Sequence, residues 1–306
     1  AASKIVLGSR GSELARAQTD LVVVALREAW PGLEIATRVI ATSGDKRTAE
    51  RIDPRAGRKG LFTREIEQSL LTGTIDLAVH SAKDLPSDTV ANLEIGAALK
   101  RAPVEDVVIS RKPEALLADP GCVVATGSVR RQYQLRWKYP GLSAVDLRGN
   151  VPTRLRKFIG SDWSAVVLAG AGLRRLGYEI GNGSFRFEGT VLHASELPVG
   201  EFLPAGGQGI IAVQIRADDD KARTLVRRIN HSETLDCLEA EREFLRLLQG
   251  DCGSPVGVLA TTGKGGMTMR AQVFEPPRID PREASVEGSP AAAKQLAREL
   301  WEAING

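Results

Sequence analysis

Short apolar runs alternating with amphipathic helical stretches constrain this chain more than any other feature. The run "KIVLG" is followed by a helical pattern from about Ser12 to Trp30, stopped by Pro31-Gly32, and then by the strand-like "LEIATRVIA". Next, "LFTREIEQSLLTG" reads as a helix with Leu61, Ile66, Leu70 and Leu71 on one face and Gly73 as its stop, and it leads into "IDLAV". The alternation predicts α/β layers with largely parallel strands. A charged, proline-containing segment, "LKRAPVED", looks like a crossover between domains. Beyond it the strands "CVVAT", "LSAVDL" and "SAVVLA" each run into a helix, opening in "GSVRRQYQL", "GNVPTRLRKF" and "GAGLRRLG". From about Asn230 the character changes. A long amphipathic helix, "SETLDCLEAEREFLRLLQG", with Ser232 as N-cap and Gly250 as stop, is followed by "DCGSPVGVLA", by strand-like segments and by a last helix from about Pro290. That tail reads as a small α+β domain.

Three times, then, a strand ends where arginines occupy the first turns of the next helix. Helix N-termini carry unpaired N–H groups and partial positive charge, and neighbouring arginines add bidentate donors for carboxylate or phosphate. The net charge is only +3, yet Arg130, Arg131, Arg136, Lys138, Arg148, Arg154, Arg156 and Lys157 crowd into one span. A solvated basic face would explain any one of them; the set points to a small polyanion with several carboxylates. Nucleic acid fits less well, because aromatic residues make up only 5% of the chain and no stacking motif interleaves with the basic ones.

Other classes drop out in turn. At 306 residues the chain has room for two or three domains. No apolar run reaches the about 18 residues of a membrane span, and the N-terminus lacks a signal-peptide core, so the expected location is the cytoplasm and no membrane partner is expected. An organelle transit peptide already removed would leave no trace here. Three cysteines, Cys122, Cys237 and Cys252, are too few for a disulfide framework, and without CxxC or HExxH no metal is expected. "GAGLRRLG" fails the dinucleotide fingerprint at Arg175, and no Walker loop or nucleophile motif occurs.

Two places hold chemistry that the α/β pattern does not require. In "DLAVHSAKDLPS" an apolar strand ends in His80, Ser81, Lys83 and Asp84 before Pro86. This is either a surface turn, with Asp84 paired to Lys83, or a site. Cys252 follows a helix C-terminus and Asp251, and both disfavour a thiolate. It is therefore inert or used once to make a lasting bond, and its tight Gly-Asp-Cys-Gly-Ser-Pro turn favours an attachment point. The stretch from about Asp45 to Lys59, rich in charge and glycine, reads as a mobile loop.

Taken in order, "SRGSELARAQ", "KGLFTREIEQSLLTGTIDLAVHSAKDLP", "ATGSVRRQYQL", "LRGNVPTRL", "LAGAGLRRLG", "LPAGGQG" and "GDCGSPVG" resemble the porphobilinogen deaminase (hydroxymethylbilane synthase) family. The resemblance implies two α/β domains of the type II periplasmic-binding-protein kind facing a cleft, plus a small α+β C-terminal domain. Residues 1–100 and 206–228 would form domain 1, residues 101–205 domain 2 and residues 229–306 domain 3. It also implies a covalent dipyrromethane cofactor on Cys252, porphobilinogen as substrate, and Asp84 as the catalytic carboxylate. By motif, Arg10, Ser12, Lys59, Phe62, Lys83, Thr126, Ser128, Arg130, Arg131, Arg148, Gly149, Arg154, Arg175 and Gln208 would bind cofactor and substrate, in a monomer. Two departures from the family pattern stand out: Ala125-Thr126-Gly127-Ser128 precede the arginine pair, and "GSFRFEGTVLHASELPVGEF" is longer than expected. The competing reading is a non-catalytic anion-binding module of the same fold, which would need the arginines but neither Asp84 nor Cys252.

Overall fold

The computed structural model describes residues 4–46, 63–113, 117–248 and 255–306. The chain begins β1 (Lys4–Ser9), α1 (Glu13–Ala29), β2 (Glu34–Val39), α2 (Ser43–Lys46), α3 (Arg64–Leu71), β3 (Leu77–Ser81) and β4 (Leu93–Ala98). It continues with β5 (Asp106–Ser110), β6 (Val123–Ala125), α4 (Val129–Lys138), β7 (Ser143–Val145), α5 (Val151–Ile159), β8 (Ala165–Ala169), α6 (Gly170–Arg175), β9 (Ser184–Phe187) and β10 (Thr190–Glu196). The remainder is β11 (Ile211–Arg216), α7 (Asp220–Arg227), α8 (Ser232–Leu247), β12 (Val256–Gly263), β13 (Gly266–Val273), β14 (Arg282–Gly288) and α9 (Ala293–Asn305).

These strands make a five-stranded sheet in the order β2-β1-β3-β11-β4, a six-stranded sheet in the order β7-β6-β8-β5-β10-β9 and a three-stranded sheet β12-β13-β14. The first two share a plan. In each, two parallel pairs are built around the first strand, and the strand that follows a crossover is inserted antiparallel beside the third: β11 beside β3, and β5 beside β8. That exchange is the type II periplasmic-binding-protein arrangement, so the expected fold class holds. The expectation of largely parallel strands needs correcting, because β5, β10 and β11 all run against their neighbours. A crossover that returns a strand to a sheet from the opposite side reverses its direction, which local periodicity does not reveal.

Local chemistry accounts for the elements. The Ser12 hydroxyl accepts from the Ala15 N–H at 3.3 Å to start α1, and Thr19, Val22, Val23 and Leu26 recur at spacings of three and four on its buried face. They pack with Leu7, Leu77 and Val213 from three strands of the first sheet. On α3, Ile66 and Leu70 are buried but Leu71 is exposed, correcting the expectation that both leucines share a face; neighbours on a helix point about 100° apart. Leu61 lies outside the described residues. The N-cap of α8 is His231, whose Nδ1 accepts from Thr234 N–H, and not Ser232, which opens the helix. The unexpectedly long segment before "LPAGGQG" is the antiparallel hairpin β9–β10 at the edge of the second sheet.

Helix α8 has two buried faces. Leu238 joins Ala98, Ile210 and Ala212 at the first sheet, while Ala240 and Phe244 enter a core with Val258, Met269, Leu296 and Leu300 of the last sheet and α9. No helix among the described residues is long and apolar enough to cross a membrane.

Candidate functional site

The strand β3 leads straight into the site. It is held on one side by β1 and on the other by β11, and its end is pinned by the Ala82 N–H donating to Ile210 O at 3.0 Å. A single 3-10 turn, Ala82–Asp84, follows; it closes with Leu85 N–H on Ala82 O, and Leu85 is buried while Asp84 is exposed. Gly207 fits against this turn with φ +76°, where a Cβ would lie 2.9 Å from both Ala82 C and Lys83 N. Glycine is needed here for its backbone and for the space. His80, placed by sequence in the polar run, is instead a buried strand residue with its Nε2 bonded to Gln214 Oε1 at 3.1 Å. Burial is the main reason its pKa falls to about 4, helped by the Arg242 and Arg10 charges.

The second sheet faces this turn with arginines. Burial pushes Lys83 down to about 8, and Arg131 adds to that, while Asp84 and Asp106 pull the other way. Arg154 is lowered to about 10 by burial, then by Arg131 and Arg148, with Asp84 and Asp146 opposing. Asp84 and Lys83 after the first sheet's β3 thus share an electrostatic field with Arg131 and Arg154 of the second. Arg175 is lowered to about 10 by burial and reaches across to donate to Gly209 O at 2.6 Å. Leu14, Gln18, Ser81, Lys83, Gly172 and Arg175 line a cavity of about 20 Å³ between α1, β3 and α6.

The hydroxyl groups expected at the site cap helices or turns. Ser12 Oγ caps α1, Ser128 Oγ accepts from Arg131 N–H at 3.4 Å to cap α4, and Thr126 Oγ1 accepts from Ser128 N–H at 3.3 Å. A capping hydroxyl uses a lone pair, so its O–H stays available to a carboxylate. Gly149 adopts φ +121°, and its carbonyl accepts from Arg154 Nε at 2.6 Å, aiming that guanidinium. Arg148 is half exposed and paired with Asp146 at 2.8 Å. Arg10 sits half-buried at the end of β1, within the field felt by His80. Lys59, Phe62 and Cys252 lie outside the described residues.

Three expected ligand contacts are committed elsewhere. Arg131 Nη2 donates to Asp106 Oδ1 at 2.8 Å and its Nη1 to Val167 O at 3.2 Å. Arg130 Nη1 donates to Asp106 Oδ2, Gln134 Oε1 and Leu203 O at 2.8, 2.8 and 2.9 Å, and the residue is almost fully buried. Gln208 Nε2 donates to Val104 O at 2.7 Å and Asp106 Oδ1 at 2.8 Å. Asp106 is the residue that sequence reasoning missed: one buried carboxylate ties α4, β5 and the crossover before β11. Its signal was present in "LKRAPVED", which was read only as a connector. A second missed knot is Glu241, whose carboxylate accepts from Arg101 Nη1 at 2.6 Å, Gly207 N–H at 2.6 Å and Ala260 N–H at 2.8 Å. It joins both crossovers to the last sheet. Chemically, the arrangement offers one exposed carboxylate beside an excess of partly desolvated cations, which suits a ligand with several carboxylates and a basic or cationic centre.

Comparison with known proteins agrees with that chemistry. A family model described as "Porphobilinogen deaminase, dipyromethane cofactor binding domain" matches residues 5–224, and one described as "Porphobilinogen deaminase, C-terminal domain" matches residues 235–305. The chain is similar to the porphobilinogen deaminase of Moorella thermoacetica, 42% identical over 305 residues that cover 97% of this chain and 93% of the relative. It is 43% identical to that of Desulforudis audaxviator over 271 residues, covering 88% of this chain and 84% of the relative. Among solved structures it is similar to the BvgS VFT2 domain of Bordetella pertussis, with a TM-score of 0.43, 18% identity and coverage of 74% of this chain and 86% of that one.

Proposed function

The chain belongs to the porphobilinogen deaminase family, enzymes of tetrapyrrole synthesis, and on that premise we propose the reaction and the residues that carry it. The reaction is the head-to-tail joining of four porphobilinogen molecules, with loss of ammonia at each addition, followed by hydrolytic release of hydroxymethylbilane. The single observation that supports the assignment of roles is that Asp84 and Arg131, from opposite sheets, both act electrostatically on Lys83 and on Arg154.

The residues fit a dipyrromethane. Its rings carry acetate and propionate side chains, and the described cleft gathers Lys83, Arg131, Arg148, Arg154 and Arg175 around one exposed aspartate. Burial holds Lys83, Arg154 and Arg175 below their ordinary pKa values, and like charge adds to this at Lys83 and Arg154, so a polyanion would relieve a repulsion already present. Such a group, bound through a thioether to Cys252, supplies the free pyrrole carbon to which substrate is added. Arg131, Arg148, Arg154 and Arg175 hold ring carboxylates, with the Ser12, Thr126 and Ser128 hydroxyls and Arg10 completing the set, and Arg130 and Gln208 support the face from behind through Asp106. Lys59 and Phe62 are read as lying beside the cleft.

Asp84 stands where the positive charge develops on the substrate as ammonia departs. Its carboxylate holds pyrrole N–H groups and stabilises that charge, and it can take the proton lost from the ring carbon once the new bond has formed. Lys83 beside it holds a carboxylate. We read the three sheets as three domains, with the crossovers near residues 101 and 206 as hinges, and the protein as a cytoplasmic monomer acting on a small molecule.

Intact mass tests the reading. Purified wild type should exceed its sequence mass by two porphobilinogen units less two ammonia, and Cys252→Ser should not. A wild type that stays at its sequence mass, even after porphobilinogen is added, would defeat it and favour the anion-binding module.

A further inference from the structure

We propose that Glu241 is a positioning residue for the reaction: with Leu238, one turn earlier on α8, it seats the Ala82–Asp84 turn and so fixes where the Asp84 carboxylate stands. The Glu241 side chain is fully buried. Its Oε1 accepts from Arg101 Nη1 at 2.6 Å and Ala260 N–H at 2.8 Å, and its Oε2 accepts from Gly207 N–H at 2.6 Å and Arg101 Nη2 at 3.2 Å. Of these donors, Gly207 leads to the catalytic turn. A Cβ on Gly207 would lie 2.9 Å from Ala82 C and Lys83 N and 3.1 Å from Ala82 Cβ, so the two backbones are in direct contact. Ile210 N–H donates to Gly207 O at 3.1 Å, and Ile210 O accepts in turn from Ala82 N–H at 3.0 Å. Moving Gly207 therefore moves both surfaces on which the turn rests.

Two neighbours on α8 reach the same turn. Positions 238, 241 and 242 are spaced by three and four, so their side chains share one face of the helix. Leu238, also fully buried, packs with Ala82, Leu85 and Ile210. Arg242 Nη2 donates to Ser87 O at 3.4 Å, just past the turn. The other buried face of α8 enters a separate core through Ala240 and Phe244. Joining the last sheet to the first would need apolar contact alone. A buried carboxylate costs desolvation and returns little stability over an apolar side chain of the same size, so what it adds is direction: it holds one N–H in one place. Here that N–H belongs to the glycine in contact with the Lys83 backbone.

The inference rests on the proposed catalytic role of Asp84, and the test separates the two. Backbone amide exchange of the full-length protein is followed by mass spectrometry in wild type, Glu241→Gln and Phe244→Leu. The Gln variant keeps the side chain's size but sets an NH2 group against N–H donors, whereas the Leu variant weakens the α8 core on the face away from the turn. In Glu241→Gln, peptides spanning Ala82 to Ser87 and Gly207 to Ile210 should exchange at least about tenfold faster, the scale of losing a hydrogen bond to a charged acceptor, while β8 keeps its wild-type rate. In Phe244→Leu the turn peptides should keep theirs. Per folded molecule, kcat should fall about tenfold in Glu241→Gln with KM within about threefold, because the arginines of α4, α5 and α6 are untouched. In Phe244→Leu kcat should stay within about twofold of wild type. Unchanged exchange at the turn in Glu241→Gln, or an equal rise in both variants, would overturn the proposal in favour of a knot that serves overall stability. So would an unchanged kcat in Glu241→Gln when Asp84→Ala is inactive. If Asp84→Ala turns over normally, the catalytic reading falls instead, and exchange alone decides whether Glu241 seats the turn. Should Glu241→Gln fail to fold, Leu238→Val, which thins the packing against Ala82 and Leu85, must give the same local exchange and the same loss of kcat; failure of either refutes the proposal.

Discussion

Acid should weaken this protein through His80, and the size of the effect follows from its surroundings. His80 lies in β3, four residues before Asp84, with its Nε2 on Gln214 Oε1 and no path to water. Because that oxygen can only accept, the ring donates from Nε2, and it is burial that favours the neutral form. Burial, aided by Arg242 and Arg10, lowers its pKa from an ordinary value of 6.5 to about 4. The folded state thus binds fewer protons than the unfolded chain between these values, so stability is full above pH 6.5 and is lost as pH falls toward 4. Once the histidine is charged in both states the loss is about 3 kcal/mol, of which about 2 kcal/mol arises between pH 7 and pH 5. Carboxylates with lowered pKa values, such as Asp106, add their losses only near and below about pH 4. Urea denaturation followed by circular dichroism at pH 7, 6 and 5 reads the slope. His80→Gln should begin less stable, because the ring packs in the core, but should lose about 2 kcal/mol less than wild type over that interval. Parallel slopes for the two proteins would refute the assignment. Since β3 leads directly into the turn that carries Lys83 and Asp84, activity in the wild type should fall with the same acid limb.

Three further outcomes are expected. Asp84→Ala should reduce hydroxymethylbilane formation by at least about 100-fold, the scale of one well-placed electrostatic or proton-transfer group, and Asp84→Glu should retain part of it; normal turnover in the Ala variant would remove Asp84 from the chemistry. Glu241→Ala leaves Arg101 and two backbone N–H groups without their buried acceptor and should cost about 3–5 kcal/mol, seen as a lower urea midpoint, whereas a change under about 1 kcal/mol would show that the knot is dispensable. Gly207→Ala forces a side chain into a left-handed backbone and onto the Lys83 turn; it should cost about 1–3 kcal/mol and lower kcat/KM well beyond the loss of folded protein, as measured by comparing activity with the folded fraction.

What the sequence determined by itself is mostly local. Apolar runs and stops such as Pro31 announce the elements, because each depends on neighbours within one or two turns, whereas the cap expected at Ser232 falls one residue earlier, at His231. The arginine-rich helix starts were legible too, since a helix N-terminus and its side chains are encoded together. The motifs identified a family, and on its pattern rests the proposal of a site at Asp84 and Cys252, the latter outside the described residues. Tertiary structure decided what depends on distant partners. Nothing in "IIAVQIR" says that it will lie antiparallel between β3 and β4, because strand order is fixed by which apolar faces meet. Nothing near His80 says that it will be buried against Gln214, 134 residues away, and nothing near Asp106 says that it will gather Arg130, Arg131 and Gln208. A polar residue's role turns on whether water or a partner satisfies it, and for these residues the partner arrives only when the chain has crossed between sheets and come back.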